Sequence, residues 1–513
     1  MRYVDRPHAA GTGKRPFVRR GFAALLALAL SLPAPMPLLA QDMRQGTVFD
    51  SLPRIGAAAA DELSPQLERD IGEAVRRDFR RQGLLIEDPE VVDYLNQLGD
   101  QLGATGPAAG YGFEFFAVRD ATLNAFAVPG GFIGVHSGLI VAASNESELA
   151  SVLGHEMGHV TQRHIARMIA QGRQSSVVSL ATAVLAILAA RSNPQAAGGL
   201  VALGEGIAQD QMLAFSRDAE READRVGLDI LRQAGFDPNA MVAFFGRLQD
   251  ATRIYDSGAP TYMRTHPVTS ERMADIQNRL SRERYRQHVD SVEFSLVRAK
   301  LEALANTGTD GLERARAAIE RRLRDRSFVN EAAAQYQLAV IANEQGDVDV
   351  ARVALGAARS ALGEPHAMLA RLAIHIDMRA GRHDAALSAS RDALVAFPFA
   401  RALVHQHGDL LLRMRRFDEA AEYLEAQVRR HRGDSNLWRM LSEARFGAGQ
   451  PVAARRAVAE HYALDGGLLA AIEQLRIAQR EAGGDFYVGS QIDARLRELQ
   501  ARYTREREAF GPQ

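Results

Sequence analysis

A period in the second half of the chain restricts the fold more than any other feature. Gly346, Gly381, Arg415 and Gly449 follow one another at spacings of 35, 34 and 34 residues, and each is followed five residues later by an alanine, Ala351, Ala386, Ala420 and Ala454. From about residue 291 onward Ala, Leu, Arg and Glu recur at helical spacing with almost no strand signal. A turn residue and a small residue that return together at this interval define a helical hairpin, in which the small side chain lets the two helices approach. One hairpin cannot bury its own apolar face, so neighbours stack and share a core. Ala358 and Ala393 mark a second small site, Gly408 an early glycine, and Pro398 closes one unit. The pattern predicts about four hairpins in an α-solenoid over residues 331–500, with residues 291–330 as connecting helices or a degenerate repeat. Arrays of this kind present concave surfaces to protein partners, which makes this half a docking module rather than a second enzyme.

Chemistry is concentrated in the first half. His155, Glu156 and His159 stand in the order H-E-x-x-H. Residues four apart share one face of a helix, so both imidazoles can reach one metal ion while Glu156, beside them, takes a proton from water. Zinc held in this way lowers the pKa of water from about 16 to about 7, and the implied reaction is hydrolysis of an amide. Asn145 as N-cap with Glu148 three residues on, then Leu149, Val152, Leu153, Met157, Val160 and Ile165 at helical spacing, put the motif in mid-helix. A third protein ligand is still needed. Ile165 occupies the position where one class of zinc peptidase has a third His, which excludes that class. His164, five residues after His159, is turned away from the ligand face on a continuous helix and reads as a surface or second-layer residue. Glu220 and Asp224 are four apart on a predicted helix and share a face, whereas Glu222 points the other way. Glu220 is the candidate third ligand, and Asp224 can accept a hydrogen bond from the second ring nitrogen of a ligand imidazole and fix its tautomer.

The stretch Leu153 to His159, followed at a distance by Phe215-Ser216-Arg217 and by Glu220 to Gly227, resembles the HtpX-related zinc metallopeptidases, a family with integral-membrane and periplasmic members. The resemblance implies His155, His159 and Glu220 as ligands of one zinc per chain and Glu156 as general base, and it puts Asp224 at an acidic position often assigned to proton donation. It extends to Asn124 through Gly131, which in the family form an edge strand beside the cleft, where a substrate adds as a further strand held by its main chain. It also reaches His266 and Arg272, which family members place near the metal. There they could stabilise a developing oxyanion, or His266 could coordinate the resting zinc and hold the enzyme latent; the plainer alternative is a helix start after Pro267 with Arg272 in surface ion pairs. The repeat period is that of tetratricopeptide units, and the combination resembles the BepA-like periplasmic branch over nearly the whole mature chain. That implies a zinc-dependent endopeptidase acting on unfolded or misassembled outer-membrane β-barrel proteins, with the barrel-assembly machinery and the lipopolysaccharide-transport barrel as partners. The competing reading is a chaperone or scaffold that works through the repeats and carries a latent or vestigial peptidase site.

Lys14, Arg15, Arg19 and Arg20 precede an apolar run from Gly21 to Leu32, and Pro33, Pro35 and Pro37 follow. This reads as a secretory signal over residues 1–40 cleaved after Ala40, too short to span a bilayer. The chain has no Cys, so it has neither disulfides nor a lipoprotein anchor, and a soluble periplasmic protein is expected. A formal charge of −1 gives no field for nucleic acid. Between the two candidate ligand helices, residues 177–208 are apolar and then Gly- and Ala-rich, either a lid over the cleft or a loop in peripheral contact with a membrane. Ser64-Pro65 and Asp88-Pro89 open helices running to Arg81 and Leu102, and strands are expected over Tyr111 to Val118 and Phe126 to His136. The fold class is α+β and mostly α, a zincin-like (gluzincin) domain over residues 41–290 followed by the α-solenoid.

Overall fold

Two proline-started helices open the described chain. In α1 (Pro65–Arg81) the Ser64 hydroxyl accepts from the Leu67 N–H at 3.2 Å, and in α2 (Pro89–Gly103) the Asp88 carboxylate accepts from the Glu90 N–H at 2.9 Å. Each cap satisfies a backbone donor that the missing previous turn leaves open. The computed structural model describes residues 64–171, 216–254, 261–281, 287–305 and 308–510, so the expected signal over residues 1–40 and the apolar segment 177–208 lie outside it. No described helix is long and apolar enough to cross a membrane.

A four-stranded sheet of order β1-β2-β4-β3 is built from β1 (Leu85–Ile86), β2 (Glu114–Val118), β3 (Ala125–Val128) and β4 (Phe132–His136). β2 and β4 run parallel, β3 returns antiparallel to β4 with Ala127 opposite Ile133, and β3 is left at the edge. The single strand expected over Phe126 to His136 is therefore two strands. Pro129-Gly130-Gly131 breaks it: Gly130 sits at φ 81° and Gly131 at φ 89°, and a Cβ on Gly130 would fall 2.4 Å from the Arg69 Cα. A left-handed turn pressed against α1 admits only glycine there. The strand expected from Tyr111 begins at Glu114.

After the short α3 (Ser137–Ala142) comes α4 (Glu146–Thr161), buried along its whole face from Glu146 to His159. The chain then forms α5 (His164–Gln171), α6 (Arg217–Ala234), α7 (Asn239–Ile254), α8 (Thr261–Thr265) and α9 (Ser270–Leu280). Helices α4 and α6 cross backbone to backbone. A Cβ on Gly158 would lie 2.9 Å from the Ala223 carbonyl oxygen, and one on Gly227 would lie 3.0 Å from the His155 nitrogen. Small residues four apart on both helices permit this approach, which sets the spacing of everything that projects from the crossing.

The second half is helical hairpins throughout. After α10 (Val292–Leu304) and α11 (Thr309–Arg324), the pairs are α12/α13 (Glu331–Gln345, Val348–Leu362), α14/α15 (Ala367–Arg379, His383–Ala396), α16/α17 (Arg401–Arg413, Phe417–Arg430) and α18/α19 (Ser435–Gly447, Pro451–Leu464). The final pair is α20 (Leu468–Glu481) and α21 (Phe486–Phe510). Gly346, Gly381, Arg415 and Gly449 occupy the four hairpin turns, all at positive φ, between 57° at Arg415 and 81° at Gly346. Ala351, Ala386, Ala420 and Ala454 are each 0% exposed. The repeat signal was thus a record of turn geometry and close helix contact, and the array is an α-solenoid of tetratricopeptide type.

The two halves are not separate beads. One hydrophobic cluster runs from Val91 and Leu95 of α2 through Leu153 of α4 to Tyr336, Leu355 and Ile376 of the array. Beside it, Lys300 of α10 donates to Asp88 at 2.6 Å and Glu90 at 2.5 Å, and Arg371 of α14 approaches the same carboxylates at 3.4 and 3.0 Å. Arg77 of α1 pairs with Glu506 of α21 at 3.0 Å.

Candidate metal centre

The crossing of α4 and α6 brings residues separated by a long stretch of sequence onto one point. His155 and His159, one turn apart on α4, face each other with their Nε2 atoms 3.0 Å apart. From α6, Glu220 lies 3.5 Å from both imidazoles. His266, in the turn between α8 and α9, puts its Nδ1 2.9 Å from Glu220 Oε1 and 3.4 Å from His155 Nε2. One ligand-capable atom from each of His155, His159, Glu220 and His266 lies within 4.8 Å of the other three, and all four side chains are buried. Two or three imidazoles with a carboxylate, drawn together in a dry site, are the donor set of a metal ion.

Glu156, next to the first imidazole, is fully buried. Its Oε2 accepts the Ala127 N–H of edge strand β3 at 3.0 Å, and its Oε1 makes no hydrogen bond among the described residues. His266 Nε2 stands 3.5 Å from that oxygen. Burial pushes the Glu156 pKa upward, with the nearby His266 and His155 opposing, and the net result is a carboxylate more basic than usual. That is the condition a general base needs near neutral pH.

The surrounding groups are tightly committed. Asp224 Oδ1 lies 3.0 Å from His155 Nδ1, and Arg272 grips Asp224 with two bonds of 2.7 Å. Arg272 also reaches Glu220 Oε2 at 2.7 Å and the Pro267 carbonyl at 2.8 Å, with its guanidinium over the Phe245 ring. Its donors are therefore spent on the carboxylates, and its place is a clamp that fixes Glu220 and Asp224 rather than a surface ion pair. Burial would raise both carboxylate pKa values, but His266 and His155 hold Glu220 well below the usual range, and Arg272 and His155 hold Asp224 below it. Burial alone would lower that of His155; bonds to Asp224 and Glu220 outweigh it and leave it at about 9. His159, desolvated beside the His155 charge, is pushed well below the ordinary imidazole value.

Three features of the site escaped sequence reasoning in whole or part. His164 is 3% exposed and its Nδ1 lies 2.9 Å from His159 Nδ1, so of the two readings left open for it the one behind the ligand imidazole is correct and the surface one is not. The continuous helix assumed for it ends at Thr161, and Arg163, a non-glycine residue at φ 52° held by Glu68, turns the chain back toward His159. Gly154, Gly158, Ala223 and Gly227 were visible as small residues at spacing four, but their meeting needed both helices in space. Tyr262, 0% exposed, stacks on His266 at 4.7 Å and ties to the strand side through its N–H to the Leu123 carbonyl, and no local pattern marks it.

The profile of peptidase family M48 matches residues 87–280, which contain the whole cluster. The chain is 32% identical over 503 residues to the "Beta-barrel assembly-enhancing protease" of Escherichia coli (strain K12), covering 95% of this chain and 98% of that one. It is 30% identical over 490 residues to the protein of the same name from Yersinia pestis, covering 93% and 97%. A mitochondrial metalloendopeptidase of Schizosaccharomyces pombe is 34% identical over 185 residues, 36% of this chain and 51% of its own length. With a buried cluster able to hold a metal ion inside the matched segment and similarity along almost the full length, the chain belongs to the M48 metalloendopeptidases, in the family of the beta-barrel assembly-enhancing proteases.

Proposed function

We propose that this metalloendopeptidase holds one zinc ion through His155, His159 and Glu220 and uses Glu156 as general base to hydrolyse peptide bonds in outer-membrane β-barrel proteins that have failed to assemble. The observation that carries the reading is the convergence of four ligand-capable atoms within 4.8 Å of one another beside a buried carboxylate whose Oε1 makes no hydrogen bond among the described residues. Zinc, when bound, would acidify water and polarise the scissile carbonyl. Glu156 takes the proton at Oε1 and passes it toward the leaving amine, as its raised pKa allows. Asp224 orients the His155 ring, and Arg272 keeps Asp224 and Glu220 in register. The edge strand β3 offers the Ala127 N–H to an extended peptide once Glu156 Oε2 releases it.

Residues 41–290 form the peptidase part in this reading and residues 331–500 the docking array, with 291–330 between them. The name of the full-length relatives supports barrel proteins as clients, and the expected leader supports a periplasmic location. The barrel-assembly machinery and the lipopolysaccharide-transport barrel are the partners proposed for the array. His266 acts as a latch: it reaches the same cluster as the three ligands and stacks on Tyr262, so it can occupy the fourth position and exclude water. A chaperone working through the repeats alone is the competing reading, and one experiment separates them. Purified mature chain is compared with Glu156→Gln for zinc content and for degradation of a denatured barrel protein. Zinc near one per chain in both, with cleavage lost only in the variant, is the expected result, and His266→Ala should raise basal cleavage. Absence of zinc, or equal cleavage in both, overturns the reading.

A further inference from the structure

The two imidazoles on α4 are supported in different ways. His155 turns its Nδ1 to the carboxylate of Asp224, whereas His159 turns its Nδ1 to another imidazole, His164, at 2.9 Å. The Nε2 of His159 faces the ligand cluster, 3.0 Å from His155 Nε2 and 3.5 Å from Glu220 Oε1. An imidazole that offers its Nε2 lone pair to a metal carries its proton on Nδ1, so the His159 Nδ1–H donates and His164 Nδ1 accepts. His164 must then be protonated on Nε2. That N–H lies 3.1 Å from Glu222 Oε2, and Arg167 holds the same oxygen at 2.9 Å. Donation along these contacts can thus run in one direction, from His159 through His164 to Glu222.

The backbone is shaped for this contact. Helix α4 stops at Thr161, and Arg163 takes the left-handed conformation at φ 52°, which is uncommon for a residue with a side chain. Two bonds from its guanidinium to Glu68 of α1, at 3.3 and 3.0 Å, hold it there. The reversal returns His164 to the inside, where it is 3% exposed, instead of leaving it on the outer side of a longer helix. Strain of this kind persists when the surrounding structure needs the geometry it produces.

We propose that His164 and Glu222 are positioning residues for metal binding: an imidazole–carboxylate relay that fixes the tautomer and ring orientation of His159. The inference rests on His159 being a metal ligand. It assigns the acidic residue between Glu220 and Asp224 on α6 to the same centre by an indirect route, since Glu222 projects away from the ligand face and returns through His164. A neutral acceptor backed by a partly exposed carboxylate orients the ring while adding less negative charge beside the metal than a second direct carboxylate would.

The test measures zinc affinity of the full mature chain by competition with a chromophoric chelator, and the melting temperature of the metal-free protein, for wild type, His164→Leu, His164→Asn and Glu222→Gln. Loss of an outer hydrogen-bond partner commonly weakens metal binding by about 10- to 100-fold, and His164→Leu should do so with little change in metal-free melting. In His164→Asn the amide oxygen stands where Nδ1 stood, so affinity should return most of the way toward wild type. Glu222→Gln should weaken zinc binding by less than His164→Leu. Wild-type affinity in His164→Leu, or His164→Asn as weak as His164→Leu, overturns the relay; if His164→Leu fails to fold, unchanged affinity in Glu222→Gln does so. A wild-type chain that binds no zinc overturns the metal reading itself and the relay with it.

Discussion

Small residues do opposite work in the two halves of this molecule. At the α4/α6 crossing, Gly154, Gly158, Ala223 and Gly227 make one contact, and that contact brings His155 and His159 to Glu220. In the array, Ala351, Ala386, Ala420 and Ala454 are fully buried in the first turn of the second helix of four successive hairpins, where a small residue suits the packing of helices adjacent in sequence. A contact made once and used for chemistry has no substitute. A contact made repeatedly between sequence neighbours can lose one member and keep its form, because each hairpin depends mainly on the next.

The largest expected effect probes the single contact. Gly158→Val would drive a side chain into the Ala223 backbone, where even a Cβ falls 2.9 Å from the carbonyl oxygen. Near-complete loss of bound metal and of proteolysis is expected, measured by metal analysis and cleavage of an unfolded protein. Gly408→Ala is its counterpart in the array, where the added Cβ meets the ends of the Leu424 and Met440 side chains at 2.8 Å. Those ends can move, so a cost of about 1–3 kcal/mol with metal retained is expected. A Gly158→Val protein that keeps its metal would break the comparison.

The next effect concerns the seam between the halves. Lys300, 6% exposed, neutralises Asp88 and Glu90 together with Arg371. Lys300→Met leaves two carboxylates to one guanidinium, and because Asp88 and Arg371 keep some solvent the cost should fall below the roughly 3–5 kcal/mol of a fully buried pair. Urea unfolding followed by circular dichroism should show the loss and a separation of one transition into two. A single unshifted transition would mean that the shared hydrophobic cluster alone joins the halves.

Acid should strike the array through His407. This imidazole accepts from or donates to Ser390 at 2.7 Å beside the Tyr423 ring, and burial, aided by Arg391 and Arg416, lowers its pKa to about 4. The unfolded chain takes up the proton near the ordinary value of about 6.5 while the folded chain resists. His407 therefore has no effect on stability above that value, destabilises the fold progressively as pH falls toward 4, and adds nothing further below it. His407→Gln should flatten the difference across that window in melting experiments run at matched pH. The smallest effect is a gain. Arg415 sits at φ 57° in a turn where Gly346, Gly381 and Gly449 occupy the equivalent places. Arg415→Gly should stabilise the chain by about 0.5–1 kcal/mol, less whatever its guanidinium gains over the Phe417 ring.

What could be read in the sequence follows the same division. The hairpins were legible because their turns and small contacts are local and recur, and the motif around His155 was legible because ligand pairs on a helix need spacing four. Glu220 and Asp224 obeyed that rule as well, so the faces of both helices could be assigned before their meeting was known. His164 could be read only as a surface or second-layer residue, because one left-handed residue, Arg163, cancels the periodicity that would have separated the two. Pro129-Gly130-Gly131 carried a turn signal strong enough to divide the expected strand, and the aromatic and β-branched residues on either side concealed it. Lys300 could not have been matched to Asp88 from sequence, since the pair is 212 positions apart and each looks like an ordinary helix charge.

The bond between Arg77 and Glu506 spans 429 positions, from the first described helix to the last. The three proposed ligands and Glu156 all lie between residues 155 and 220 of the sequence, yet α1 finds this partner only in the last described helix. Arg77 is 5% exposed in the finished molecule, so before α21 arrives its charge lies bare or unpaired. The two ends of the described chain are thereby coupled, since a charge buried on the first helix is neutralised only by the last.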